Sequence, residues 1–247
     1  MTLARYFTLV FCLACGLTAK IPSEFSTCKL NSDNFDSCLK NSINGAIKVL
    51  ANNGLPKFGI PKCDPIIIPQ MTIGAGSMAV NLQQNYKDVY TYGYSKANVT
   101  NAHLDLAGKK LRFNVKIPQL IMDMKYTVDG RILLIPVRGE GNAKFYLDDC
   151  DIIHNIGFDI IKKKEKNFIN VKNYDIKVKT KKAQFKFENL FNGNQELSDS
   201  VHRVVNQNWE VVYEDVSAGY EQAFNSLFIL YAKSFFGKVP MDVVFPQ

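Results

Sequence analysis

The residues that could carry chemistry in this chain are few and poorly placed for catalysis. His103, His154 and His202 are its three histidines. They lie about fifty residues apart, and none belongs to an H-E-x-x-H pattern, which would set two ring nitrogens on one helical face for a zinc ion. Each reads as an ordinary surface or strand residue. There is no G-x-S-x-G, so no serine is lifted on the strained turn that an esterase-type nucleophile needs. Asp148, Asp149 and Asp151 crowd three carboxylates around Cys150. A calcium ion asks for about six to eight oxygens, and this cluster reads as a solvated strand-end turn. Gly74-Ala75-Gly76 lacks the third glycine of a dinucleotide loop. The expectation is a non-enzymatic protein with no metal and no cofactor.

The N-terminus points to secretion. Arg5 precedes an apolar run of 12 residues from Tyr6 to Leu17, and small residues follow up to Ala19. That is the layout of a cleaved secretory signal, here residues 1–19. It is too short for a spanning helix, which takes roughly 20 apolar residues. With it go Cys12 and Cys15, leaving Cys28, Cys38, Cys63 and Cys150. In an oxidising compartment four cysteines allow three pairings. Cys28 and Cys38 are close enough in sequence to pair readily. Cys63 and Cys150 then either form a second bridge or stay as free buried thiols. Asn98-Val99-Thr100 is an N-glycosylation sequon that requires only a surface position for Asn98.

Composition supports a large core, since 47% of the chain is hydrophobic. The formal net charge of +7 falls by one without Arg5. The charge is uneven: ten lysines lie between Lys162 and Lys186. They alternate with Ile176, Val178, Phe185 and Phe187, as the outward positions of strands do. A solvated strand face is expected, with no nucleic-acid partner.

Chemistry of this kind needs elements that enclose space rather than elements that aim a catalytic group. Residues 34–52 carry Phe35, Leu39, Ile43, Ala46, Ile47 and Leu50 at helical spacing, and Asn52-Asn53-Gly54 stops that helix. Residues 54–65 form a proline-rich connector. From Ile66 to about Glu188 the chain reads as antiparallel strands, Ile66–Val80 and Val89–Val99 among them. Gly108-Lys109-Lys110, Asp129-Gly130 and Gly139-Glu140-Gly141 read as turns. From Gln195 a proline-free helical pattern runs for about 40 residues, or roughly 60 Å, with Gly219 as the expected bend. Met241–Pro246 reads as an extended tail. A rod of that length must be covered along its whole extent, and the sheet is the only element large enough. The predicted fold is a single elongated α+β domain over residues 20–247, a long C-terminal helix wrapped by a highly curved antiparallel sheet.

A cylinder and a curved sheet do not match perfectly, so an internal apolar tunnel is a candidate site. Its predicted lining is Tyr220, Phe224, Phe228 and Tyr231 from the helix. From the sheet it is Phe113, Ile117, Leu120, Met122, Leu133, Ile135 and Phe158. Tyr92, Tyr94, Tyr126, Tyr220 and Tyr231 could each offer a polar end to a ligand. The first helix and the 54–65 connector are the candidate gate.

A resemblance adds to this reading. Cys28, Cys38, Gly59-Ile60-Pro61 and Asp64-Pro65 resemble the N-terminal signature of the insect takeout and juvenile-hormone-binding protein family. Tyr126-Thr127-Val128-Asp129-Gly130-Arg131, Pro136 and Gly139-Glu140-Gly141 resemble its central block. Asn206-Gln207-Asn208-Trp209, Val239-Pro240 and Phe245-Pro246 resemble its C-terminal end. The resemblance implies a helix wrapped by a curved sheet, related to tubular lipid-binding domains. It places Gly74-Ala75-Gly76 in a strand and implies a Cys28–Cys38 bridge; Cys63 and Cys150 lie outside the pattern. It also implies an extracellular insect carrier of a small hydrophobic ligand, such as a juvenile hormone-like terpenoid or a fatty acid. A monomer is expected, with transient membrane or receptor contact left open. The alternative is a basic surface-interaction protein that docks on anionic membranes, microbial surfaces or a receptor.

Overall fold

The structure, a computed structural model, describes residues 21–22, 25–76 and 79–247. The signal-peptide reading falls outside the described residues. The first helix, α1, spans Phe35–Asn52. Gly54 ends it in the left-handed region (φ 65°), where a Cβ would come within 2.5 Å of the Pro61 carbonyl carbon. Only glycine lets the chain double back there. The connector then makes a 3-10 turn at Pro56–Phe58, tied by the Leu55–Ile60 bridge.

Seven strands follow among the described residues: β1 Ile66–Ile73, β2 Val80–Tyr92, β3 Asn98–Asp105, β4 Lys110–Ile132, β5 Ile135–Lys163, β6 Lys166–Lys179 and β7 Lys182–Phe187. All neighbours are antiparallel, in the order β1-β2-β4-β5-β6. β3 pairs with the first part of β4, and β7 with the first part of β5. β4 and β5 are the spine, paired from Lys110–Gly157 to Ile132–Ile135. At 29 residues, β5 would be about 95 Å long if straight. A strand of that length coils with the sheet's twist.

Two expected turns are strand interior. Gly139 and Gly141 lie within β5 because main chain packs directly on them. A Cβ on Gly141 would sit 2.6 Å from the Glu188 carbonyl oxygen, and one on Gly139 would sit 3.0 Å from Leu190 Cα. Asp129-Gly130 likewise lies inside β4, and the hairpin falls instead at Leu133-Leu134, with Leu133 at φ 55° and Leu134 91% exposed. Ile66–Val80 is interrupted after Ile73, so Gly74-Ala75-Gly76 is connector rather than strand, and Val89–Val99 is broken by a 3-10 turn at Tyr94–Lys96.

The acidic cluster is not at a strand end. Inward residues of β4 are odd-numbered through Ile117 and even-numbered from Leu120. β5 switches opposite, from Ala143, Phe145 and Leu147 to Cys150, Ile152 and His154. The inversion falls between the Ile117–Cys150 and Gln119–Asp148 pairs, where Pro118 faces Asp149 (φ 50°) with no shift of register. The Asp149 carboxylate meets Lys181 at 3.0 Å, and Asp148 accepts from the Gln119 amide at 2.7 Å.

The C-terminal rod is two helices, α2 (Gln195–Gln207) and α3 (Trp209–Phe236). The break is at Asn208, whose side-chain amide donates to the Val204 carbonyl at 2.8 Å, and not at Gly219. Gly219 instead permits close approach to β1, since a Cβ there would lie 2.8 Å from Ile73 Cγ2. A last helical turn, α4 (Met241–Val244), stands where an extended tail was expected.

The rod fills the bore of the curved sheet and closes its seam. On the β6–β7 side, helix side chains take the place of a strand. The Asn206 side chain both accepts from the Phe185 N–H (2.7 Å) and donates to its carbonyl (3.0 Å). His202 Nε2 accepts from the Phe187 N–H, Glu221 from the Val178 N–H, and Asn225 from the Ile176 N–H. On the other side, Asp215 accepts from the Ala79 and Val80 N–H groups, both at 2.8 Å. Edge groups that would otherwise be left unpaired in a half-buried seam are thus satisfied. Leu230, 60% exposed, marks the face of α3 that looks out through the seam.

Candidate functional site

The interior is hollow at one end. A cavity of about 230 Å³ lies between α1, the 3-10 connector, the C-terminal half of α3 and the inner faces of β4, β5 and β6. Leu39, Ile43, Ala46, Ile47 and Leu50 of α1 form its roof. These are the apolar stripe that α1 must cover, yet most stay only half-buried because they look into open space. The same holds for Phe228, Tyr231 and Phe235 of α3. Two smaller chambers continue along the rod, of about 50 Å³ around Leu120, Met122 and Phe224, and about 20 Å³ around Leu82, Val128 and Val212. Tyr94 lines both the large and the middle chamber, and Tyr220 both the middle and the small one.

The roof is held by several ties. The Cys28–Cys38 disulfide joins the N-terminal segment to α1. Asn44 accepts from the Val99 N–H at 3.0 Å, and Asp36 meets His103 at 2.9 Å. Leu30 N–H donates to the Pro246 carbonyl at 2.9 Å, which ties the segment before α1 to the C-terminal residues beside the cavity. Asp64 positions Tyr94 by accepting from the Gly93 and Ser95 N–H groups at 3.0 and 2.9 Å.

None of the residues lining the large cavity is Asp, Glu, Lys or Arg. Its polar side chains are hydroxyls, the Cys63 thiol and one imidazole, beside the disulfide sulfur of Cys28. His154 is 4% exposed, stacked on Phe113 at 4.5 Å, with Nδ1 at 3.0 Å from the Tyr174 hydroxyl. Burial pulls its pKa down to about 3, so the ring is neutral at physiological pH. Cys63 lines the cavity and Cys150 sits in the sheet; both thiols are free and buried, and burial pushes each up to about 11. Thiolate chemistry is therefore suppressed at both. Burial likewise raises the Tyr94 and Tyr174 hydroxyls, and Tyr231 to about 12. Among the described residues no cluster of His, Cys, Asp and Glu is placed to hold a metal ion.

Of the predicted lining, Phe113, Phe228 and Tyr231 reach the large cavity, and Leu120, Met122, Tyr220 and Phe224 reach the middle chamber. Ile117 points inward but is packed solid at 1% exposure. Leu133 and Ile135 flank the β4–β5 hairpin at the opposite end of the sheet, and Phe158 is buried in the core at 4% exposure without lining the large or the middle chamber. Of the tyrosines, Tyr94 lines the cavity, Tyr92 is exposed, and Tyr126 donates to the Glu188 carbonyl at 2.7 Å. Sequence reasoning missed Tyr174, His154 and the α1 roof as lining. The alternation of Tyr174 with Ile176 and of His154 with Ile152 and Ile156 was the available signal. The lysine-rich strands are outward-facing, with Lys172, Lys177 and Lys181 paired to Asp159, Glu221 and Asp149.

An uncharged cavity between a coiled antiparallel sheet and a helix defines a protein that binds lipophilic ligands. The sequence pattern of the haemolymph juvenile hormone binding protein family matches residues 7–246, and the chain belongs to that family. It is 27% identical over 234 residues to the circadian clock-controlled protein daywake of Drosophila melanogaster, covering 92% of this chain and 88% of that protein. The daywake protein of Drosophila yakuba is 25% identical over 232 residues, covering 91% and 88%. The crystal structure of Epiphyas postvittana Takeout 1 superposes with a TM-score of 0.80 at 27% identity, covering 90% of this chain and 99% of that one. The takeout-like resemblance and the predicted fold class are thereby borne out. No helix among the described residues is long and apolar enough to cross a membrane.

Proposed function

We propose that this protein is a secreted carrier that takes one small neutral lipid-like molecule into the cavity under α1. The carrying observation is the lining: about 230 Å³ of space under α1 with no charged side chain on its walls. Apolar cavities of about 150 Å³ stay dry and take up benzene. A chain of about 15 carbons gains roughly 0.8 kcal/mol per buried CH₂. After the cost of association the result is micromolar to nanomolar affinity. The predicted signal over residues 1–19, the Cys28–Cys38 bridge and the sequon at the exposed Asn98 support an extracellular setting. α1 and the connector are the proposed gate, because they form the roof and most of the α1 stripe under it is only half-buried. The chain acts as a monomer in this reading, and ligand release at a membrane or receptor is a separate step. Native mass spectrometry of the purified protein, with extraction of any passenger, tests the reading. A one-to-one lipid adduct is expected; no adduct and no uptake across a panel of neutral lipids would refute it.

A further inference from the structure

We propose that the tip of the β5–β6 hairpin, residues 162–166, is a docking surface for the anionic headgroups of a membrane. β4 begins at Lys110, which pairs with Gly157, and β7 pairs with β5 only over residues 143–148. Residues 158–163 therefore have β6 as their one strand partner among the described residues. The hairpin runs about 20 Å past the end of β4. Its base is a wall of the large cavity, since Ile156 and Tyr174 line that space.

The tip is costly as a turn. Lys163 and Lys166 are directly opposite in the register, and like charges so placed repel. The two turn residues, Lys164 and Glu165, sit at φ 45° and 63°, where asparagine and glycine are favoured. Four lysines surround a single carboxylate. Glu165 pairs with Lys162 at 2.7 Å, and Lys163 lies over the Phe168 ring at 5.3 Å. Lys164 and Lys166 form no ion pair among the described residues. The strand lysines differ, because Lys172, Lys177 and Lys181 each meet a carboxylate. Folding gains nothing from the crowding at the tip, whereas an anionic surface outside the protein offsets it. Ile160, 40% exposed, and the half-buried Ile161 add apolar surface that a bilayer interface accepts and a soluble polyanion does not. The choice of a membrane rests on the carrier reading: docking by this tip brings the cavity end to the lipid phase that a guest leaves or enters.

The test is co-sedimentation of the protein lacking residues 1–19 with vesicles. One set is phosphatidylcholine alone, and the other contains about one-third phosphatidylserine. The native protein should bind the anionic vesicles at about 0.05 M salt, lose that binding at about 0.5 M, and leave the neutral vesicles unbound. Each lysine at an anionic surface contributes about 5-fold, so the triple variant Lys163→Gln, Lys164→Gln, Lys166→Gln should bind about 100-fold more weakly. All three side chains are exposed and the variant loses a like-charge pair, so it is expected to fold. A second triple variant, Lys179→Gln, Lys182→Gln, Lys186→Gln, removes the same charge far from the tip and should weaken binding by less than about 5-fold. No binding of the native protein to anionic vesicles at low salt, or equal losses in the two triple variants, would overturn the docking. So would retention on heparin without vesicle binding, which would mark a soluble polyanion as the partner. The guest adduct seen by native mass spectrometry enters none of these outcomes, so the docking and the carrier reading fail separately.

Discussion

Acidification from pH 7 to pH 5 should destabilise this protein through one buried imidazole. Burial holds His154 at about 3 in the folded state, against about 6.5 in an unfolded chain. A base with a depressed folded pKa binds fewer protons folded than unfolded, so stability is complete above the unfolded value. It is lost as pH falls from about 6.5 toward the folded value. Between pH 7 and pH 5 the unfolded histidine goes from mostly neutral to mostly charged while the folded one stays neutral. The loss is about 2 kcal/mol for this residue alone. No charged side chain lines the cavity around the ring to offset it. The assay is urea unfolding of native protein and His154→Phe at both pH values. His202, also lowered chiefly by burial, contributes in the same direction to both proteins and cancels in the comparison. The native protein should lose about 2 kcal/mol more than the variant. Equal losses would refute the argument that desolvation of His154 sets the acid limit.

Replacing Asn206 with Ala removes both hydrogen bonds to Phe185 and leaves the β7 edge unpaired; denaturant unfolding should show a loss of about 1–3 kcal/mol. Gly141→Ala drives a methyl group into the Glu188 carbonyl, and a lowered thermal midpoint equivalent to about 1–3 kcal/mol is expected. Thiol titration of the unreduced protein lacking residues 1–19 should find two reactive groups, Cys63 and Cys150, after denaturation and almost none before it. Phe224→Ala, at the wall between the large and middle chambers, should cost about 3–5 kcal/mol of stability and shift the preferred guest toward longer chains in a chain-length series.

Much of the architecture was legible in local pattern. The α1 stripe, the alternation along β4 and β6, and the long proline-free stretch after Gln195 each follow from periodicity set by the chain's own geometry. The motif residues of the resemblance prove to be keystones of packing. Tyr126, Gly139 and Gly141 clasp the 188–190 segment, Asp64 fixes the Tyr94 turn, and Asn206 caps an edge. Their types were visible, but their partners lie tens of residues away.

Other features were decided only when the elements met. Glycines 139 and 141 look like turn residues, because a bare backbone that admits a turn equally admits another chain against it. The phase inversion at Asp149 determines which residues face inward, and it arises from pairing two long twisted strands, not from either strand alone. The cavity is likewise tertiary. By itself the sequence established an apolar helix stripe and an apolar sheet face. Whether those faces would close on each other was decided by the curvature of the sheet and by α1 bridging its open end. Burial is a property of distance between surfaces, and no residue's own chemistry encodes that distance.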